Sequence, residues 1–208
     1  GKIDRIDIAK TENNTYVRII DYKSSVKDIN LNQVVAGIQI QLLTYLDEIS
    51  QQKQFDPAGV LYFSLIDTII KADKKMTDEQ LKKEINKNFK MKGMIVADID
   101  IVKMMDKKLA PSTSSDIIPV YLDKEGNISE GKSKTLNKEK FERLQKYTKH
   151  IISEISKEIF SGNIDIKPYY MSKKTPCEYC QYKTICNFDP KLENNTCRYI
   201  KNLSNEEI

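Results

Sequence analysis

The chain has 208 residues, with 34 Lys and Arg against 30 Asp and Glu and a net charge of +4. That length supports one domain with a proper core and a small appendage, and the charge is too weak by itself to define a nucleic-acid partner. No apolar run reaches the roughly 20 residues of a membrane span and no signal peptide is visible, so a cytoplasmic setting is expected.

Residues 2–9 and 16–23 predict two strands joined by the polar turn Thr11-Glu12-Asn13-Asn14. The chain opens at Gly1-Lys2-Ile3, inside the first strand and without an initiator Met. It therefore reads as the C-terminal piece of a longer protein. Val17, Ile19, Asp21 and Lys23 share one face of the second strand, and Arg18, Ile20 and Tyr22 share the other. The stripe Leu31, Val34, Val35, Ile38, Leu42, Tyr45, Leu46, Ile49 predicts one helix over 30–50. Pro57-Ala58-Gly59 leads into a third strand at Val60–Phe63, and a fourth is expected from Leu65 to Ile70. Residues 71–110 are Lys-rich and read as mostly helical, with a start at Thr77-Asp78-Glu79-Gln80 and a further helix over 98–108. After the loop Pro111–Ser115, a strand is expected from Ile117 to Leu122, turning at Lys124–Asn127. A long helix over 137–160 carries the stripe Phe141, Leu144, Tyr147, Ile151, Ile152, Ile155, Ile159, with Gly162 suited to its C-terminal cap. The tail from 175 onward is poor in core residues. The pattern is α/β.

Three short stretches carry chemistry. Asp4 follows Gly1-Lys2-Ile3; Asp21-Tyr22-Lys23 closes the second strand; Gln41 and Tyr45 stand one turn apart on a helix. Magnesium takes hard oxygen ligands and keeps several waters, so two carboxylates plus substrate phosphate oxygens make a natural site. Pairing of the first two strands can bring Asp4 and Asp21 together. A carboxylate buried at the end of Val17–Ile20 needs a cation. Lys23 points to the same face as Asp21 and can orient an attacking water or stabilise charge at phosphorus. Gln41 falls at the edge of the apolar stripe, where its amide can face the strands, with Tyr45 at i+4. Each piece also has a plain reading. Asp21 and Lys23 can form a surface ion pair, Tyr45 can be core, and Asp7, on the face opposite Asp4, is expected to pair with Arg5 or Arg18.

All four cysteines lie near the end: Cys177, Cys180, Cys186 and Cys197. The first three have the spacing C-x2-C-x5-C, suited to zinc or an iron–sulfur cluster, and Cys197 is the in-chain candidate for a fourth ligand. Spacing alone leaves zinc and iron–sulfur level, with no metal as a third reading. Paired C-x2-C clips, usual for zinc, are missing.

The combination Gly-x-x-Asp-Arg at 1–5, Asp-Tyr-Lys-Ser at 21–24 and Gln-x3-Tyr at 41–45 resembles the RecB-like branch of the PD-(D/E)XK nuclease superfamily. The resemblance implies a restriction-endonuclease-like core with a mixed central sheet flanked by helices, spanning 1–174 with a Lys-rich insertion around 71–115, plus a Cys-bearing tail at 175–208. It implies that Asp4, Asp21 and the backbone carbonyl of Tyr22 hold Mg2+ (or Mn2+), that Lys23 is catalytic, and that Gln41 and Tyr45 assist. A further metal ligand, often His or Glu, would lie upstream of this sequence; His150, the one histidine, is expected at the surface. The tail is similar to that of iron–sulfur RecB-like nucleases, which makes Cys177, Cys180 and Cys186 three ligands of a [4Fe–4S] cluster and Cys197 a bystander. The fourth cluster ligand would again lie upstream. Pro57–Phe63, Met91–Met94 and the tail extend the likeness to the nuclease domains of AddAB-type helicase–nucleases. That implies a DNA exonuclease of double-strand-break repair and recombination, acting on the 5′-ended strand beside an AddA-type helicase–nuclease subunit. Lys82, Lys83, Lys87, Lys90 and Lys92 read first as a solvated helix face and second as candidates for nonspecific phosphate contacts. A CRISPR-associated exonuclease of the same branch and a non-catalytic DNA- or partner-binding module are the alternatives.

Overall fold

The computed structural model describes residues 1–66 and 77–203, and for Lys83 the backbone alone. The chain forms two compact units, one of residues 1–29 and 39–148, the other of 30–38 and 149–208.

The first unit is built on a five-stranded mixed sheet in the order β1-β2-β3-β4-β5. Its strands are β1 (Arg5–Lys10), β2 (Thr15–Lys23), β3 (Asp56–Ser64), β4 (Lys92–Val96) and β5 (Thr135–Leu136). β1 and β2 form the expected antiparallel hairpin, with Arg5 opposite Ile20 and Ile8 opposite Val17. β2 and β3 are parallel, which requires a crossover between them, and β4 returns antiparallel to β3. Helix α2 (Gln41–Lys53) packs on β2 and β3 and buries Leu42, Leu43 and Leu46 against them. Val17, Ile19, Val60, Leu61, Ile95, Val102, Ile118 and Phe141 complete a core that excludes water.

The sequence expectation fails in several places. The helix expected over 30–50 is two helices, α1 (Leu31–Val35) and α2. Gly37 has φ +77°, its N–H donates to the Val34 carbonyl, and the Ile38 N–H donates to the Gln33 carbonyl. This paired closure ends a helix whatever apolar stripe continues beyond it. The Lys-rich segment contains β4, whose residues Gly93–Val96 are all buried, so the alternation that marks a half-exposed strand is missing. Ile118, Val120 and Leu122 are buried alternately as expected, yet 117–122 pairs only through the single bridges Ser114–Tyr121 and Leu122–Ile128. The first strand begins at Arg5, so Asp4 precedes it and Gly1–Ile3 are not in a strand. Of the fourth strand expected over 65–70, Leu65 and Ile66 fall beyond the end of β3 and 67–70 lie outside the described residues.

Other local signals hold. Thr77 and Gln80 cap α3 (Asp78–Asn88) reciprocally, and Asp98 caps α4 (Ile99–Met105). Helix α5 (Lys138–Phe160) ends at Gly162 (φ +76°), closed by Gly162 N–H to the Ile159 carbonyl and Asn163 N–H to the Glu158 carbonyl.

The second unit contains α1, the end of α5 from Lys149, and the parallel pair β6 (Tyr169–Tyr170) and β7 (Arg198–Tyr199). Tyr170 and Tyr199 meet edge to face at 5.5 Å. The tail is tied to α1 by Arg198 Nη1 donating to the Ala36 carbonyl (3.1 Å) and Leu203 N–H donating to Asn32 Oδ1 (2.6 Å). No helix among the described residues is long and apolar enough to cross a membrane.

Candidate active site

The hairpin register, carried one pair beyond Arg5–Ile20, sets Asp4 opposite Asp21. Asp4 is exposed, and its Oδ2 accepts the backbone N–H of Tyr22 at 3.0 Å. This bond holds the first motif against the second. Asp21 is only 6 % exposed. Its Oδ2 is buried and accepts no well-aligned hydrogen bond, although the Lys23 ammonium lies 2.5 Å away. The Lys23 carbonyl accepts the Leu65 N–H at 2.8 Å, which fixes the strand end.

Asp21 is paired in register with Tyr62 of β3. Tyr62 is 4 % exposed, and burial, then the neighbouring Asp21 charge, push its hydroxyl up to about 12. The ammonium groups of Lys23 and Lys27 stand over its ring, 5.8 and 5.3 Å from the centroid. Tyr62 lies within the Pro57–Phe63 stretch but has no role assigned from it, and Lys27 belongs to no motif. Strand register points to Tyr62, but no periodicity singles out Lys27.

Gln41 is the first residue of α2, not a mid-helix residue, and is exposed. Its Nε2 donates to Tyr45 Oη at 3.1 Å, the i+4 contact expected. A Cβ placed on Gly1 would lie 1.9 Å from that same oxygen, so the first and third motifs meet at Tyr45, and a larger residue at position 1 would have to displace its ring. Gln41 and Tyr45 bond to each other, not to Asp21 or Lys23.

Asp7 has the structural role expected. It accepts Arg5 Nε at 2.7 Å and Arg18 Nη2 at 2.8 Å. Burial pushes its carboxyl up, but the hydrogen bonds from Arg5 and Arg18 outweigh this and hold it below the usual carboxylate range. A cavity of about 190 Å3 lies beside it, lined by Asp7, Tyr16, Arg18, Ile101, Met104 and Met105. Arg18 is on the face of β2 opposite Asp21, so this cavity is not part of the carboxylate site.

His150 is exposed on α5, as expected. Lys82, Lys87 and Lys92 are exposed, whereas Lys90 is half-buried and donates to Ser114 Oγ at 2.8 Å. Burial pushes the Lys90 ammonium down, against the pull of Asp116. The side chain of Lys83 lies outside the described residues.

In the tail, Pro176–Tyr179 forms a 3-10 turn capped by Thr175, and Lys183–Cys186 forms the short helix α6. All four thiols are free; Cys180 and Cys186 are exposed, Cys177 and Cys197 half-buried. Among the described residues no three Cys, His, Asp or Glu side chains are gathered as a metal-ion site. As placed, Cys177, Cys180 and Cys186 do not form the corner of a cluster. The carboxylate site does fit a cation, because the Asp21 carboxylate is buried and already holds one, the Lys23 ammonium, at 2.5 Å.

Residues 1–187 match the PD-(D/E)XK nuclease superfamily. The chain belongs to this superfamily. The mixed sheet flanked by helices, with Asp21 and Lys23 at the end of a central strand, is its restriction-endonuclease-like arrangement. Relatives similar over the whole chain are named as a subunit of an ATP-dependent helicase/deoxyribonuclease. One from Thermoanaerobacter sp. (strain X514) is 41 % identical over 213 residues, one from Bacillus cereus (strain ATCC 14579) 43 % over 215, and one from Clostridium kluyveri 40 % over 216. This PD-(D/E)XK chain spans 18 % of the length of those relatives.

Proposed function

We propose that the chain is the AddB-type, Mg2+-dependent DNA exonuclease domain of an AddAB-type helicase–nuclease, working in the cytoplasm in double-strand-break repair and recombination. The observation that carries this reading is the buried Asp21 carboxylate, with the Lys23 ammonium at 2.5 Å and Asp4 held beside it through Tyr22 N–H. Asp4, Asp21 and the Tyr22 carbonyl are the residues that would hold Mg2+, which when bound lowers the pKa of a water and screens charge on the scissile phosphate.

The protein's own groups have separable tasks. Lys23 keeps its ammonium on Asp21 before substrate arrives, which limits the cost of burying that charge. With substrate present it is positioned to hold the attacking water or to donate to a phosphate oxygen as negative charge develops there. The Gln41 amide, oriented by Tyr45, offers a donor and an acceptor at the open N-terminal end of α2. Asp4 ties the Asp21–Tyr22 peptide in place.

The partners in this reading are single-stranded DNA and an AddA-type helicase–nuclease subunit, supported by the relatives' name and the similarity over the whole chain. Degradation of the 5′-ended strand belongs to the same reading. Cys177, Cys180 and Cys186 would serve a [4Fe–4S] cluster completed by a ligand outside this sequence. They would come together only with the cluster, which would close a long loop and take no part in hydrolysis.

The test uses the full-length protein with its helicase partner and single-stranded DNA labelled at one end or the other. Mg2+-dependent release of the 5′ label is expected from the wild type and not from Asp21→Ala, whereas release of the 3′ label by the partner's own nuclease should persist. Release of the 5′ label by Asp21→Ala at the wild-type rate would sink the reading.

A further inference from the structure

We propose that Lys27, aimed by the ring of Tyr62, forms a subsite for a backbone phosphodiester adjacent to the scissile one. This rests on the nuclease reading above and extends it along the substrate strand. Two ammonium groups, those of Lys23 and Lys27, stand over one buried ring. Both distances to the centroid are within the about 6 Å over which a cation is held by a ring face. The charge of Lys23 is matched by Asp21 at 2.5 Å. Lys27 makes no ion pair among the described residues, so its charge is left over at the site. A ring aims a cation without neutralising its formal charge.

Position supports the same assignment. Lys27 follows the end of β2, and the intervening stretch is anchored to the end of β3. The Lys23 carbonyl accepts Leu65 N–H at 2.8 Å, and the Ser25 carbonyl accepts Ser64 Oγ at 3.4 Å. A half-buried lysine on such an anchored stretch, four residues beyond the catalytic lysine, differs from the exposed Lys82 and Lys87 of α3. Its chemistry suits a polyanion whose charges repeat along a chain, because one phosphate meets Lys23 while a neighbouring one meets Lys27.

The test is single-turnover cleavage at subsaturating enzyme by the full-length protein with its helicase partner. The substrates are a single-stranded oligonucleotide and a set in which one neutral methylphosphonate replaces each phosphate flanking the scissile bond in turn. Lys27→Ala is expected to slow cleavage of the native strand about tenfold, the loss of one charge-assisted contact, and Lys27→Arg less than about twofold. A methylphosphonate at one flanking position should slow the wild type by a similar factor and Lys27→Ala hardly at all. Tyr62→Phe, which keeps the ring under both ammonium groups, should leave the wild-type pattern unchanged. Penalties that multiply at every position would overturn the subsite while Asp21-dependent cleavage keeps the nuclease reading intact. Absence of any Asp21-dependent cleavage would overturn both.

Discussion

The carboxylate corner and the cysteine tail are both short motifs with metal-binding spacing, yet only one is assembled by the fold. Asp4, Asp21, Lys23 and Tyr62 are placed by strand register, so forming the sheet brings them together without any ligand. Cys177 sits in a 3-10 turn, Cys180 directly after it and Cys186 in a one-turn helix, elements with no strand pairing to bring their thiols together. Register organises a site without any ligand, whereas side chains on helical turns in a loop would take their geometry from a metal if one bound.

The sharpest test of this contrast is at the corner. Asp21→Ala and Lys23→Ala should each reduce cleavage about 1,000-fold, measured as single-turnover rates. Lys23→Ala should also destabilise the protein by about 1–3 kcal/mol in urea melts, because it leaves a buried carboxylate unmatched. The double variant should regain most of that loss. A double variant no more stable than Lys23→Ala would mean that Asp21 is not strained by burial. In the tail, Ser in place of Cys177, Cys180 or Cys186 in the full-length protein should remove the visible absorbance of a cluster and about 2–4 kcal/mol of stability, as for a lost cross-link. Cys197→Ser should change neither, and loss of absorbance there would make Cys197 a ligand.

A smaller effect is expected at Asp7, on the other face of β2. Its folded pKa is held below the ordinary 3.8, so the stability it adds is fully present above about pH 4 and is lost as pH falls through the folded value. Asp7→Asn should cost about 1–2 kcal/mol at pH 7 and flatten the acid limb of the stability curve below pH 4. An unchanged acid limb would show that the Arg5–Asp7–Arg18 cluster adds nothing. The smallest effect is at Gly37, where Ala at φ +77° should cost about 1 kcal/mol, with its Cβ 3.2 Å from Ile151 Cγ2. No loss in thermal melts would mean that the break between α1 and α2 is not held by that residue.

Much of this architecture was legible because local signals agreed with the fold. The polar turn at 11–14 closed a hairpin, Thr77 and Gln80 capped a helix, and the face shared by Asp21 and Lys23 survived as a 2.5 Å contact. The failures have physical causes. The stripe from Leu31 to Ile49 stays periodic across Gly37, so periodicity could not report a break made by one left-handed residue. β4 is buried over Gly93–Val96 and therefore lacks alternation, and its lysine-rich approach argued for helix. Alternate burial of Ile118, Val120 and Leu122 came from packing without a ladder. Tyr62 depends on which strand lies beside β2, a long-range fact, and Lys27 depends on where an irregular stretch is anchored.

The antiparallel partnership of β3 and β4 has a practical consequence. Tyr62 pairs with Lys92, so the chain leaves β3 and returns to β4 at neighbouring points on the sheet. Whatever runs between them starts and finishes at one doorway, and its length is not set by the strands it joins. A reporter domain or affinity tag spliced into that connection should therefore leave the pairing of β2 with β3 intact, making this the natural graft point for engineering the protein.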